Sequence, residues 1–239
     1  MDFKHLFALS LTLFCGWGAR ANDDTPVINP VFTYTDSNGT TGEATSYSGS
    51  APFIATFSSG TEHAEGWSSY YEWRFYFSGD SLPYLIRYEE QTSYTFNKAG
   101  TNTVQLYAVF TQGGDTISYT ADYWKEVTPL TITISESKLE MPNAFSPNND
   151  GKNDIYKAKA NYQSIIDFHA YIFNRWGQKL YEWKDIDGGW DGTFHGKPVK
   201  QGVYFVLVDA KGADGKNYHI KRDVNLFRDY REGTETTSE

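Results

Sequence analysis

The sequence predicts an all-β protein built from two consecutive immunoglobulin-like β-sandwich domains. Aromatic residues make up 17% of the 239 residues, led by 18 Tyr and 16 Phe, and these residues favour pleated, half-buried strands. Apolar and polar residues alternate with period two along several segments, and turn signals recur about every ten residues. No segment shows a convincing helical period, so the pattern favours sandwiches over helical or α/β folds.

The first predicted domain covers residues 22–136 and begins with a flexible lead-in over residues 22–30. Val31–Thr35 and Thr45–Tyr47 are expected to form a hairpin around Asn38-Gly39, because both turn residues tolerate positive φ.

The core of this domain is expected on the strands that follow. Phe53, Ala55 and Phe57 share one face of an alternating segment, and Gly113-Gly114 provides a turn between two later strands. The predicted core strands are Ala51–Phe57, Tyr71–Phe77, Thr103–Phe110, Thr116–Ala121 and a closing strand that contains Ile132 and Ile134.

The second predicted domain covers residues 137–228. The strand Ser164–Phe173 places Ile166, Phe168, Ala170 and Ile172 on one side. Val203–Val208 is apolar on both faces, which predicts a central strand covered on both sides. Asp214-Gly215 supplies the turn into the last strand, Tyr218–Phe227, and the polar residues 229–239 are expected to form a disordered tail.

Residues 1–21 have the pattern of a secretory signal peptide. Lys4 and His5 precede an apolar run from Leu6 to Phe14, and Ala19-Arg20-Ala21 predicts cleavage before Asn22. No later segment is apolar and long enough to span a bilayer as a helix, so the mature chain is expected to have no transmembrane segment.

The single cysteine, Cys15, lies within this predicted leader. The mature domains are therefore expected to have no disulfide, and their stability must come from burial of their cores.

The charge balance argues against nucleic-acid binding. The chain carries 30 acidic and 21 basic residues, a net charge of −9, and no basic stripe interrupts the acidic surface. The histidines are isolated, and we find no nucleophile elbow, metal-type His pair or phosphate-binding glycine loop. We therefore predict a protein that is not an enzyme.

The Asn/Asp/Gly-rich loop Asn148–Asp154 is the best candidate for a small binding site. Asn148, Asp150 and Asp154 have the spacing to bind calcium, because alternate oxygen side chains around a glycine bend can surround a hard cation. The interpretation we favour is a turn held by its own side-chain to backbone hydrogen bonds, with no cofactor.

Five sequence blocks in the last hundred residues define the C-terminal domain more closely. Met141 to Gly177 contains a short extended start, this Asn/Asp/Gly-rich loop, two apolar-rich strands and an Arg-Trp-Gly turn. The later blocks are Gly189-Trp190-Asp191-Gly192, Gly196-Lys197-Pro198, Gln201-Gly202-Val203-Tyr204-Phe205 and Val224-Asn225-Leu226-Phe227-Arg228. In this order they resemble the type B C-terminal sorting domain of type IX secretion, the gliding motility-associated C-terminal domain family.

This resemblance implies a folded terminal domain that is recognised by outer-membrane secretion machinery proteins. It implies export through the periplasm, followed by release from the cell or retention at the cell surface or outer membrane. The residues expected to shape the recognition loop and turns are Pro142, Asn143, Phe145, Pro147, Asn148, Asp150, Gly151, Asn153, Asp154, Arg175, Trp176, Gly177, Gly202, Val203 and Tyr204. Most of them are expected to specify the fold rather than to contact a partner.

The first domain resembles a PKD-type immunoglobulin-like module more loosely. The matching positions are Ala51-Pro52-Phe53, Tyr71-Glu72-Trp73-Arg74-Phe75, Tyr94-Thr95-Phe96, Ala99-Gly100-Thr101 and Val104-Gln105-Leu106. The resemblance implies a structural or adhesive module in front of the sorting domain.

Two other functions remain open from the sequence. The chain could be a resident periplasmic or surface component of the same machinery. It could also be a surface protein that binds glycans, with sugar rings stacked on aromatic side chains; the candidates are Trp67, Tyr70, Tyr71, Tyr84, Tyr88, Trp124 and Trp183.

Overall fold

The predicted all-β sandwich architecture is confirmed. The structure is a computed structural model that describes residues 25–35 and 41–228. Within these residues the strands form sheets of four, six, five and two strands. The predicted leader, the Asn38-Gly39 turn and the predicted tail 229–239 lie outside the described residues.

The described part of the N-terminal half contains ten strands and one short helix. They are β1 (Val31–Thr35), β2 (Thr41–Ala44), β3 (Ser46–Gly49), β4 (Phe53–Ser58), β5 (Ser68–Phe77), β6 (Leu85–Arg87), β7 (Gln91–Phe96), β8 (Gly100–Gln112), β9 (Asp115–Tyr119), α1 (Tyr123–Glu126) and β10 (Leu130–Ile134). One sheet has the order β2-β1-β4-β7, and the other has the order β3-β10-β8-β5-β6 with β9 paired to β8.

The alternating residues of these strands form the first core as predicted. Phe53, Ala55 and Phe57 of β4 are buried, and they pack in one cluster with Trp73 and Phe75 of β5. The buried residues of β8 and β10 in the same cluster are Val104, Leu106, Ala108, Phe110, Leu130, Ile132 and Ile134. The period-two alternation therefore separates core residues from surface residues correctly along β4, β5, β8 and β10.

The predicted hairpin partner of β1 is wrong. Phe32 of β1 lies opposite Ala44 of β2, so Thr41–Ala44 forms the hairpin strand. The next residues cross to the other sheet, where Tyr47 of β3 lies opposite Ile132 in a parallel pair. This switch joins the two layers of the sandwich, and a purely local pattern does not reveal it.

The predicted flexible lead-in is also corrected where the structure describes it. Val27 donates its N–H to the Glu62 carbonyl at 3.0 Å, and Ile28 is buried in the first core. The short helix α1 was not expected; it carries Trp124, whose Nε1 donates to the Leu106 carbonyl at 2.8 Å. Among the described residues, no helix has the length and apolar character needed to cross a membrane.

The C-terminal half is built on one five-stranded sheet. Its strands are β11 (Ala144–Phe145), β12 (Ile165–Phe173), β13 (Lys179–Trp183), β16 (Gly202–Gly212) and β17 (Asn217–Leu226), in the order β11-β17-β16-β12-β13, and β14 (Thr193–Phe194) pairs with β15 (Lys197–Pro198). The other layer of this core comes mainly from irregular segments, in which Tyr156 and Trp190 are fully buried and form a backbone bridge.

A β-bulge corrects the predicted core face of β12. The register shifts between Ile165 and Asp167, so Ile165 lies in the C-terminal core. Ile166 packs instead against the core of the N-terminal half. The bulge therefore places one residue of β12 in contact with each half of the molecule.

Ser164 lies at the centre of the junction between the two halves. It is 1% exposed, its hydroxyl accepts the Ala51 N–H at 3.1 Å, and it lies 2.9 Å from the Ser135 hydroxyl. Close by, Ala99 donates its N–H to the carbonyl of Ala213 at 2.9 Å. Buried hydrogen bonds thus connect the two halves directly.

We expect Ser164→Ala to lower the free energy of unfolding by about 1–3 kcal/mol, because the Ala51 N–H loses its buried acceptor. Urea denaturation measures the effect. Ser81→Ala, at an exposed position, serves as the control and should stay within about 0.5 kcal/mol of the parent. Equal midpoints for the two variants would contradict this role of Ser164.

Candidate functional site

The register of the C-terminal sheet defines two opposite ends. Ile165 of β12 pairs with Gly212 of β16 beside the junction, whereas Phe173 pairs with Phe205 eight residues further along. Gly202 in turn lies opposite Leu226. We call the end marked by Phe173, Gly202 and Leu226 the distal end; it lies roughly 25 Å from the junction, at the usual rise per strand residue.

The Asn148–Asp154 loop is closed by hydrogen bonds onto one carboxylate. Asp154 Oδ1 accepts the N–H groups of Asn148 at 2.9 Å and Asn149 at 2.7 Å, and Oδ2 accepts that of Gly151 at 2.8 Å. The Asn148 side chain accepts the Asp150 N–H at 3.0 Å. These are the bonds of a self-supporting Asx-rich turn.

The calcium hypothesis requires the same oxygens. Asn148, Asp150 and Asp154 are brought together in the loop, but the carboxylate of Asp154 faces backbone N–H donors. A cation bound there would have to replace these hydrogen bonds with oxygen contacts. Calcium at this loop stays a prediction.

The base of the loop is anchored in the second core. Ser146 donates its N–H to the Asn153 carbonyl at 2.9 Å, and the neighbouring Phe145 ring is buried 5.4 Å from the Trp190 ring. The Tyr156 hydroxyl donates to the Pro142 carbonyl at 2.9 Å. Burial raises the pKa of Tyr156, so this hydroxyl remains a donor over the physiological range.

The other residues predicted before and inside the loop have backbone roles or lie at the surface. The Asn143 carbonyl accepts the Asn225 N–H at 2.9 Å, which continues the pairing of β11 with β17. Asn153 is exposed and has a positive φ of 52°.

The Arg-Trp-Gly turn projects an aromatic ring into solvent. Asn174 Oδ1 accepts the N–H groups of Trp176 and Gln178, each at 3.0 Å, and the Gly177 N–H donates to the Asn174 carbonyl at 3.0 Å. Trp176 is 76% exposed, and the Arg175 guanidinium carbon lies 4.3 Å from the centre of its ring. Hydrogen bonds therefore close the turn, and the Arg175 guanidinium packs on the exposed Trp176 ring.

The start of β16 contributes two further exposed apolar residues. Val203 is 49% exposed and Phe205 is 45% exposed, whereas Tyr204 between them is buried. Tyr204 packs 5.1 Å from the Trp190 ring and donates its hydroxyl to the Lys200 carbonyl at 2.6 Å. The prediction that this strand is covered on both sides is therefore wrong, because its outer face is open to solvent.

These exposed residues line one groove. The groove has a volume of about 630 Å³, and its walls include Arg175, Trp176, Lys200, Val203 and Phe205. No carboxylate lines it among the described residues. An apolar groove with two cations is thus present on a chain whose net charge is −9.

Gly192 connects this groove to the Asn148–Asp154 loop. It has a positive φ of 77°, and a Cβ atom there would lie 3.0 Å from Pro147 Cγ, so only glycine fits without strain. Arg228 donates to the carbonyls of Gly192 and Val199, both at 2.8 Å. Four of the five sequence blocks, all except Gly196-Lys197-Pro198, therefore contribute to one surface at the distal end.

Gly192, Phe205 and Arg228 belong to the sequence blocks but were not predicted as site residues, and Lys200 was not singled out at all. A signal for Phe205 was present, because Asp209 and Lys211 follow it at even spacing on the same face of the strand. Those charged residues indicate a face that is open to solvent. The contacts of Gly192 and Arg228 depend on distant segments, so the sequence blocks that contain these residues do not reveal the contacts.

The aromatic residues predicted as a glycan platform divide into two groups. Trp124 and Trp183 are buried in the two cores, and Trp67 and Tyr71 pack against the first core. The remaining three, Tyr70, Tyr84 and Tyr88, are exposed on the N-terminal half.

We expect Asp154→Ala to destabilise the C-terminal half by about 1–2 kcal/mol, because three backbone N–H groups lose a charged acceptor near the surface. Thermal unfolding measures the change. Asp167→Ala removes an exposed carboxylate elsewhere in the same half and should have little effect. If added calcium raises the melting temperature of the parent but not of Asp154→Ala, the calcium hypothesis replaces the self-supporting turn.

The C-terminal half is similar to a known protein family. A comparison with curated proteins finds no match for the chain. The PKD-type resemblance of residues 22–136 stays a prediction. Residues 139–222 match the family model described as the CHU_C type IX secretion signal domain, and such a domain implies interaction with the secretion machinery and export to the cell surface or the medium.

Proposed function

We propose that this chain is a non-enzymatic exported protein whose distal end is recognised by outer-membrane proteins of the type IX machinery. One observation carries the proposal: sequence blocks spread from Met141 to Arg228 meet at the distal end, around the groove beside Trp176. The N-terminal sandwich is then a structural or adhesive module that travels with the signal domain.

The exposure of the groove supports a role in protein binding. Trp176, Val203 and Phe205 leave apolar surface in water, which costs free energy in the isolated protein. Large aromatic residues and arginine are also the side chains that contribute most to protein interfaces. A partner that covers Trp176 and Arg175 would bury this surface.

The predicted residues then divide into two roles. Phe145, Tyr204 and Asp154 hold the distal end together through buried packing and the loop hydrogen bonds. Arg175 and Trp176 lie on the solvent side, where a partner can reach them. The first group specifies the shape of the surface, and the second group contacts the partner.

The position of the junction supports recognition of the folded domain. Ser164 and Ala213 attach the N-terminal half at the end of the sheet opposite Trp176. The N-terminal half therefore leaves the distal end uncovered, and a receptor can bind the signal domain while the attached sandwich remains folded.

Deleting residues 139–228 is expected to leave the remaining chain in the periplasm, because the surface that the secretion machinery would recognise is lost. Cell fractionation in a strain with an active type IX system measures the distribution. Normal surface delivery of the truncated chain would end the sorting proposal.

A double variant tests the groove itself. Arg175→Glu with Trp176→Ala should reduce delivery to the surface about tenfold, the usual effect of losing an interface anchor. Unfolding midpoints should match the parent, since both residues are exposed. Tyr181→Ala, another exposed aromatic on the same domain, is the matched control. Unchanged export of the folded double variant would exclude the groove as the contact surface.

A further inference from the structure

A second surface, on the N-terminal half, has features that the sorting function does not use. Trp73 and Phe75 of β5 and Leu106 of β8 point into the core, so the residues between them point outward. The outward residues include Tyr70 and Tyr76 of β5, Tyr107 of β8, and Tyr88 directly after β6. We call these four residues the tyrosine face.

Two of the tyrosines form an exposed aromatic pair. Tyr70 is 49% exposed and Tyr88 is 60% exposed, and their ring centres lie 6.2 Å apart. The outer face of the opposite sheet differs, because β4 and β7 present Thr56 and Ser93 there, joined by a 2.8 Å hydrogen bond. Exposed rings are thus a property of this sheet face and not of both.

An ion pair runs through the middle of the tyrosine face. Arg74 Nε donates to Glu72 Oε1, and the Tyr70 hydroxyl donates to Glu72 Oε2 at 3.0 Å. The Arg74 guanidinium carbon lies 3.8 Å from the centre of the Tyr107 ring. Stacking and hydrogen bonding therefore hold both charged groups in fixed orientations on the sheet.

The polar groups extend beyond the ion pair along β8. Gln105 lies opposite Arg74, and Thr103 lies opposite Tyr76. Side chains of these types offer both donors and acceptors. From Tyr70 to Tyr76 the face extends roughly 20 Å along the strand, which suits an extended ligand better than a single small molecule.

The chemistry of this face matches a sugar chain. A sugar ring has a face of C–H groups that packs on an aromatic ring, and an edge of hydroxyls that needs both donors and acceptors. The tyrosine face supplies both within a flat strand surface. The aliphatic neighbours Ile86 and Val109 on this face are half-buried, so its exposed surface consists mainly of rings and polar groups.

The charge of the surface selects among sugar polymers. Glu72 and Arg74 neutralise each other, and the nearby Glu89 and Glu90 are exposed and acidic. The whole chain carries a net charge of −9. An acidic polymer would be repelled, whereas a neutral one would meet no electrostatic barrier.

We propose that the tyrosine face binds a neutral polysaccharide, with sugar rings stacked on Tyr70 and Tyr88 and hydroxyls bonded to Glu72 and Arg74. This site is independent of the distal end, so each proposal stands without the other. The sorting signal would carry to the cell exterior a module that attaches to neutral glycan chains.

Affinity electrophoresis of the purified chain tests this proposal. The gels contain neutral polysaccharides (hydroxyethyl cellulose, xylan, glucomannan, mannan or laminarin) or the acidic polygalacturonate and alginate. We expect retardation by at least one neutral polymer, and titration calorimetry with that polymer should give an affinity that high salt leaves unchanged.

Substitutions test whether the tyrosine face is the site that binds the polysaccharide. Tyr70→Ala and Tyr88→Ala should each lower the affinity about tenfold, whereas Tyr88→Phe, which keeps the ring, should stay within about threefold of the parent. Tyr181→Ala, an exposed tyrosine on the other half, should bind like the parent. Unfolding midpoints of all variants establish that they are folded.

Three results would overturn the proposal: no retardation by any neutral polymer, salt-sensitive binding to the acidic polymers only, or full affinity in the folded Tyr70→Ala/Tyr88→Ala variant. A chain that binds no neutral polymer, but binds an envelope protein through Tyr88, would identify the face as a protein interface.

Discussion

The antiparallel register of β12, β16 and β17 is the constraint on which the proposed binding surface at the distal end depends. Phe173 pairs with Phe205, and Gly202 with Leu226, so three chain segments far apart in sequence end at the same edge of the molecule. Tyr204 and Phe145 then pack on the buried Trp190, which holds the loops to the sheet. A shift of the register by one residue would reverse the faces of β16 and expose its core residues.

The junction has a complementary effect on the arrangement of the two halves. The bulge before Asp167 turns Ile166 towards the first core, and Ser164 bonds to Ala51 beside it. Because the bulged end of the sheet is occupied, the distal end is the one left open. The N-terminal sandwich is therefore attached at one end of these strands, and the groove lies exposed at the opposite end.

The two proposed surfaces differ in charge and chemistry. The groove at the distal end combines Trp176 and Phe205 with Arg175 and Lys200, which suits a protein partner. The tyrosine face combines exposed rings with a neutralised pair of charged groups at its centre, which suits a neutral sugar chain. Both lie on open sheet or turn surfaces, where binding requires no opening of either core.

Local alternation was enough to predict the all-β class and the inward faces of β4, β5, β8 and β10, whereas the five sequence blocks were recognised by their resemblance to the type IX sorting domain family. These features depend on neighbouring residues, because side chains of a strand alternate with period two regardless of what lies across the sheet. The Asn/Asp/Gly composition likewise indicated a turn that bonds to itself around Asp154.

Only the tertiary structure decided which strands pair and which faces of the sheets stay open to solvent. The crossing of β3 to the second sheet, the bulge at Ile165, and the open outer face beside Val203 and Phe205 all depend on partners distant in sequence. The same holds for the contact of Gly192 with Pro147 and for the packing of Arg74 on Tyr107. Sequence spacing specifies the direction of a side chain on its own strand, but burial depends on the segment that packs against it.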